Sequence, residues 1–408
     1  MIASFINHPA IISSLGEGLE QHIEKLLANQ SSPLQASDCI RQRHQIDDDT
    51  RVLGVVDVPL RPFDSELALQ HRSRNNQLVW HAMAQIEDIL QKAIARFGAH
   101  RIAVIIGTST TGVDENIPVF KYESEHPNDW SGAPFNQQQQ YFSAPADFLA
   151  AQYGLGGPTY GISTACTSGA KALMSAARLL NAGLCDAVLC GGVDTLSPLT
   201  VKGFNSLSVL NKQRSNPFSV NRNGINIGEG AALFVLSREQ LSDSNIQLLG
   251  YGASSDAYHM SSPHPEGRGA IEAFKTALQN AAIDASSVGW INLHGTGTQH
   301  NDQMEALTVN HVFGAHTPCT STKPYTGHTL GAAGAIEAAL CYGMIDRRLN
   351  PQGKLPAQLW DKQTDNELAT ISLTDEQSCW PQGRRIAASS SFAFGGNNSV
   401  LILGEAYA

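Results

Sequence analysis

A chain of 408 residues can bury a large core, as one big domain or as two of ordinary size. With 42% apolar residues, 16% charged residues and 36 glycines it has the composition of a folded globular protein. A net charge of −10 excludes nucleic acid as the main partner, because phosphate binding needs a dominant basic surface.

No Lys or Arg precedes Lys25, so the N-terminus makes a poor secretory signal, and apolar runs such as IAVIIG are too short to span a bilayer. The cysteines are Cys39, Cys166, Cys185, Cys190, Cys319, Cys341 and Cys379, an odd number with no C-x-x-C pair. That pattern predicts mostly buried, inert thiols in a reducing compartment, with no zinc site and no redox dithiol. The expectation is a soluble cytoplasmic protein without membrane insertion.

In chain order, RIAVIIGTS (101–109) reads as a short buried strand ending at glycine. The stretch 110–147 is rich in Pro and Asn with few apolar periods, and reads as an excursion over a subunit or substrate surface. SGAKALMSAARLLNAG (168–183) has helical spacing and a closing Gly183. DAVLCGGVD (186–194) and GEGAALFVLS (228–237) read as further buried strands. The alternation predicts an α/β protein with helices covering a sheet.

The second half echoes the first. STKPYTGHTLGAAGAIEAALCYGMI (321–345) repeats the Ser-Thr, turn and small-residue helix of 163–183, and GGNNSVLIL (395–403) matches GEGAALFVL (228–236). The echoes suggest a duplicated unit with a seam at 245–255, hence halves of 1–248 and 249–408; a chance likeness between two α/β halves is the alternative.

Three groups that can carry chemistry fall at strand-to-helix turns, which in α/β sheets line one edge where ligands bind. Cys166 sits among small residues in GISTACTSGAKAL, where a helix begins. It is either an inert filler or a thiol whose pKa the helix N-terminus lowers and whose neighbouring N–H groups can hold an oxyanion. His294 follows the strand-like WINL, and His328 opens the second small-residue helix.

TACTSG, RNGINIGEGAALFVL, HGTGTQHND, KPYTGHTLGAAGA and SSFAFGGNN, in that order over nearly the whole chain, resemble the β-ketoacyl-acyl-carrier-protein synthases. The likeness is to the elongating condensing enzymes with a Cys-His-His triad. It implies a thiolase-like duplicated fold, layered αβαβα with two mixed sheets, and a dimer of two identical or two related condensing-enzyme subunits. It also implies decarboxylative condensation between carrier-bound acyl and malonyl groups, with no metal and no organic cofactor.

By this resemblance Cys166 takes the acyl group as a thioester, and His294 and His328 stabilise the enolate formed from malonyl carrier protein. Lys323 matches the family's lysine and Glu305 its acidic partner, both fixing the histidines in orientation. Thr296 and Thr298 match hydroxyls that hold the pantetheine arm. SSFAFGGNN matches the gating loop, with Phe394 beside Cys166 and Phe392 at the substrate or simply in the core; Ala393 stands where the family commonly has glycine, which implies a gate that is stiffer or follows a different path. Thr111, in GTSTTG (107–112), falls where the family's acyl pocket reaches the dimer interface.

An acidic carrier protein needs a basic patch, and the positions suggest Lys212 and Arg214 together with Arg72 and Arg74. A non-catalytic chain-length subunit is disfavoured by the complete triad. A thiolase would need a second active-site cysteine, whereas Cys379 lies outside any such motif. The starter enzymes carry Asn where His328 stands. Departures such as GTSTTG and Ala393 point to a specialised cousin that extends polyene, aryl-polyene or polyketide chains.

Overall fold

The structure, a computed structural model, describes residues 4–28, 42–46 and 49–407; Cys39 lies outside the described residues. Its centre is a twelve-stranded sheet. From one edge the strands are Ser372–Leu373, Pro318–Ser321, Trp290–Leu293, Ile386–Phe392, Asn397–Glu405 and Ile246–Ser255. The sheet continues through Ser4–Ser13, Gly230–Ser237, Ala187–Asp194, Ile102–Gly107 and Thr159–Ile162, and Gly16–Glu17 pairs with Ser4–Ser13 off this path.

Leaving aside the two-residue strands Gly16–Glu17 and Ser372–Leu373, each half contributes five strands in the spatial order third, second, fourth, fifth, first. The senses repeat as well. Third with second and second with fourth are parallel in both halves, while fourth with fifth and fifth with first are antiparallel. The echoing segments therefore occupy equivalent places in two copies of one topology. Two features go beyond the sequence reading. The 248/249 boundary falls inside the strand Ile246–Ser255, and the two mixed sheets run into one another through Ser4↔Leu248 and Phe5↔Gln247.

Helices Ser168–Asn181 and Ala333–Ile345 lie between the two half-sheets and share one core with residues of both. All thirteen residues of Ala333–Ile345 are buried, which matches its lack of a polar face. The two helices meet through glycine: a Cβ on Gly169 would lie 2.8 Å from the backbone nitrogen of Ala335, and one on Gly334 would lie 2.7 Å from the Cβ of Ala170.

Outer helices close the sandwich. Arg74–Met83, Glu87–Phe97 and Ala144–Tyr153 pack on the N-terminal half-sheet, and Arg268–Ala281 and Gln299–Phe313 on the C-terminal one. Arg268–Ala281 buries Ala270, Ala273, Phe274, Ala277, Leu278 and Ala281, the single apolar stripe of a surface helix. The 110–147 excursion contains the helix Ile117–Glu125 and exposes Phe120, Trp130 and Phe135. Among the described residues no helix is long and apolar enough to cross a membrane.

Candidate active site

Strand Thr159–Ile162 runs into a tight turn at Ala165, whose φ of 54° lies in the left-handed region. Non-glycine residues seldom adopt that conformation, and it persists only where the surroundings enforce it. Here Ser168 enforces it: its N–H and hydroxyl both donate to the Ala165 carbonyl, at 3.0 and 2.6 Å, and its Oγ accepts from the Thr164 N–H. The turn lifts Cys166 just ahead of the helix beginning at Ser168, with its side chain lining a cavity of about 250 Å³.

His294 directly follows the strand Trp290–Leu293. Its backbone N–H donates to Glu305 Oε1 at 2.7 Å and to Ser390 Oγ at 3.1 Å, and the Gly295 N–H donates to Glu305 Oε2 at 2.6 Å. His328 follows the short helix Lys323–Thr326 and Gly327, whose φ is 73°. The segment RNGINIGEG holds it from the other half: His328 N–H donates to Asn226 O at 2.6 Å, and Gly228 N–H donates to His328 O at 2.9 Å.

These turns bring the three groups together in one place. Cys166 Sγ and His328 Nε2 lie 3.1 Å apart. The His294 and His328 rings meet edge to face with centroids 5.3 Å apart, and Phe392 closes against His294 at 5.9 Å. Both imidazoles are buried, and each Nδ1 is without a hydrogen-bond partner among the described residues.

Burial sets the charge state. It lowers the pKa of both imidazoles well below 6.5, assisted by the nearby Lys323 ammonium, so both rings are neutral. It also pushes the Cys166 thiol up to about 12, against a smaller opposing pull from Lys323. The direction is opposite to the lowering that a helix N-terminus by itself gives. The resting pair is a neutral thiol against a neutral imidazole.

The acidic partner of Lys323 also needs correction. Lys323 is buried and forms its ion pair with Glu337, on the central helix Ala333–Ile345, and not with Glu305. Glu305 instead receives the two backbone N–H groups that shape the His294 turn, along with the Ser390 hydroxyl at 2.8 Å. Burial raises the carboxyl of each, Glu305 to about 7 and Glu337 to about 7. Nothing in the motif spacing singles out Glu337, because its link to Lys323 is a tertiary contact.

Thr296 and Thr298 line the cavity with their hydroxyls 3.0 Å apart. Phe392 is buried while Phe394 is 40% exposed beside Phe204, and both line the cavity with Ala393 between them. The positive φ angles of that loop fall on Gly395 and Gly396, so alanine at 393 carries no backbone strain in this conformation.

Thr111 does not line this cavity. It sits at φ 47° and its hydroxyl turns to the Gln140 carbonyl, 3.4 Å away. Arg74 is likewise drawn inward, its guanidinium donating to both oxygens of the buried Glu229. Arg72 is exposed and folds back onto the carbonyls of Leu67 and Ser65. Lys212 is exposed and Arg214 half-buried, a few residues beyond Leu207 and Val209 at the cavity wall.

Sequence reasoning missed three further groups. The buried Asp194 carboxylate accepts from Thr108 Oγ1, Ser109 N and Thr110 N, and on its other side from Gly331 N at 2.6 Å, tying the GTSTTG loop to the turn after His328. Lys171, one turn into the Cys166 helix, donates to Asn397 Oδ1 at 2.6 Å, at the end of the SSFAFGGNN loop. His300 and Asn301 also line the cavity. A lone carboxylate after GGV carries no sequence signal of this kind.

A thiol at an elbow and two imidazoles gathered at one cavity are the arrangement of a condensing enzyme. The chain belongs to the beta-ketoacyl synthase family: residues 11–242 match its N-terminal domain and residues 246–353 its C-terminal domain. It is similar to 3-oxoacyl-[acyl-carrier-protein] synthase 2 of Vibrio cholerae, 28% identical over 96% of each chain. It is also similar to nodulation protein E of Rhizobium leguminosarum bv. trifolii, 35% identical over 64% of each chain. Among solved structures it matches the complex of the ketosynthase ApeO with its chain length factor ApeC from Xenorhabdus doucetiae, at 43% identity and a TM-score of 0.89, covering 99% of this chain and 98% of that one.

Proposed function

We propose that the protein joins a Cys166-bound acyl chain to malonyl-acyl-carrier protein, releasing CO2 and giving a 3-ketoacyl-carrier protein. The observation that carries this reading is the 3.1 Å contact between Cys166 Sγ and His328 Nε2, with His294 beside it in the same cavity. The Cys166 thiol passes its proton through His328 as sulfur attacks the acyl thioester, and the carrier's thiol leaves with a proton. Malonyl carrier protein then loses CO2, and the N–H groups of His294 and His328 hold the enolate oxygen. The carbanion attacks the Cys166 thioester; the C–C bond forms, the Cys166 sulfur leaves as thiolate, and a proton from solvent restores the thiol.

In this reading Glu305 and Lys323 keep the two histidines in place, Thr296 and Thr298 receive the pantetheine arm, and Phe394 is the gate with Phe392 beneath it. The acyl chain belongs to a specialised polyene, aryl-polyene or polyketide pathway rather than to bulk fatty-acid synthesis. Supporting this, the similarity to a ketosynthase that works with a chain length factor, at 43% identity, exceeds that to the Vibrio cholerae synthase at 28%. The partner is accordingly a second condensing-enzyme subunit, and the exposed aromatics of the excursion offer it an apolar face. The free thiols suit the reducing cytoplasm.

The test is mass spectrometry of carrier protein after incubation with malonyl carrier protein and saturated, polyunsaturated or aryl-primed acyl carriers, with Cys166→Ala as control. Products longer by two carbons from unsaturated or aryl primers alone support the specialised role. Products from saturated chains place the enzyme in fatty-acid elongation, and no Cys166 acylation, with or without a partner subunit, sinks the condensing reading.

A further inference from the structure

We infer that Cys166, His294 and His328 form a three-ligand site for a thiophilic divalent ion, zinc above all, whose binding reversibly switches the enzyme off. The inhibitory part rests on Cys166 being the nucleophile; the site itself rests on geometry alone. One donor atom from each residue lies within 4.8 Å of the other two, and among the described residues this is the only such cluster. Zinc bonds of about 2.3 Å to sulfur and about 2.0–2.1 Å to nitrogen require tetrahedral donors roughly 3.3–3.6 Å apart. Sγ and His328 Nε2, at 3.1 Å, have to open by about 0.4 Å, and His294 has to close in by at most about 1.5 Å.

The donors suit the metal chemically. Borderline-soft zinc prefers thiolate and imidazole, and both neutral imidazoles can present a lone pair by moving their proton to the unpartnered Nδ1, with no net proton released. All three side chains line the cavity, which leaves a fourth position for water. The sulfur must bind as thiolate, so each ion that enters displaces one proton from Sγ to solvent. The nearest fixed cation, Lys323, opposes the ion but is paired with Glu337, and burial leaves Glu305 only half-ionised near neutral pH.

This site differs from the resting catalytic pair only in occupancy. A bound ion withdraws the sulfur lone pair needed for acyl transfer and occupies both imidazole nitrogens meant for the enolate. Free zinc in the micromolar range would therefore compete with acyl carrier protein.

The experiment titrates the full-length enzyme with Co2+ and Zn2+ under reducing conditions. The expected result is a thiolate-to-cobalt charge-transfer band saturating at one ion per chain, displaced by zinc, with one proton released. The band disappears in Cys166→Ala and weakens in His294→Ala, while an equimolar chelator restores condensation. A readout that needs no variant is alkylation of Cys166 by iodoacetamide, which zinc should slow at least tenfold. An unchanged band in Cys166→Ala, or alkylation indifferent to zinc, overturns the site. Intact metal binding with undiminished condensation would confirm the site and remove Cys166 from the reaction, whereas absent binding in an active enzyme rejects the metal site alone.

Discussion

Taking a thiol, two imidazoles and three carboxylates out of water costs free energy in their charged forms, and at this site the cost determines which groups stay neutral. Cys166, His294 and His328 are held uncharged by burial, while Lys323 is buried in an ion pair with Glu337. Removing one member of such a pair strands the other, at about 3–5 kcal/mol. Lys323→Met should therefore destabilise the fold by that amount in urea unfolding. Lys323→Met with Glu337→Met should recover most of the stability but not the activity, if Lys323 positions the histidines; recovery of both would make the pair purely structural.

The same burial predicts a pH dependence. Both site histidines are held below 6.5, so the folded state refuses protons that the unfolded chain accepts. Their contribution to stability is complete above pH 6.5 and is lost as the pH falls below it, by about 1.4 kcal/mol per pH unit for each ring. Unfolding measured at pH 7, 6 and 5 should show a shallower acid slope in His328→Asn, by one proton. An unchanged slope would mean that His328 titrates in the folded enzyme.

At the scale of elements, the site depends on helix contacts and on one loop. Gly169 and Gly334 let the two central helices approach closely enough to put Cys166 and His328 side by side. Gly169→Val should cost about 1–3 kcal/mol in stability, through overpacking, and should lower acyl transfer further by separating the pair. Differential scanning calorimetry with a single-turnover acylation assay separates the two effects. In the SSFAFGGNN loop, proposed as the gate, Ala393 carries no backbone strain in this conformation. Ala393→Gly should raise the rate of the gated half-reaction about two- to fivefold, the equivalent of about 0.4–1 kcal/mol of backbone freedom. Unchanged kinetics in both half-reactions would show that the gate pivots elsewhere.

For the whole molecule, a net charge of −10 has to be reconciled with an acidic carrier. Long-range repulsion is overcome only by a local basic patch, and we propose Lys212 and Arg214, a few residues beyond Leu207 and Val209 of the cavity wall, as that patch. Reversing both charges should raise the KM for carrier protein about tenfold at low salt with little change in kcat, and the difference should shrink as ionic strength rises. An unaltered KM would move the docking surface elsewhere.

By itself the sequence determined the α/β class, the repeated segments and the identity of Cys166, His294 and His328, because local signals carry these: apolar runs, glycine-bounded turns and motif spacing. Only the tertiary structure decided the rest. Glu337 is the partner of Lys323, Arg74 turns inward, Thr111 faces away from the cavity, and Asp194 ties one turn of the site to another. The protonation of Cys166 belongs to the same group. A helix N-terminus is visible in a sequence, but the water excluded by two half-sheets closing on two central helices is not, and that exclusion sets the charge of the site.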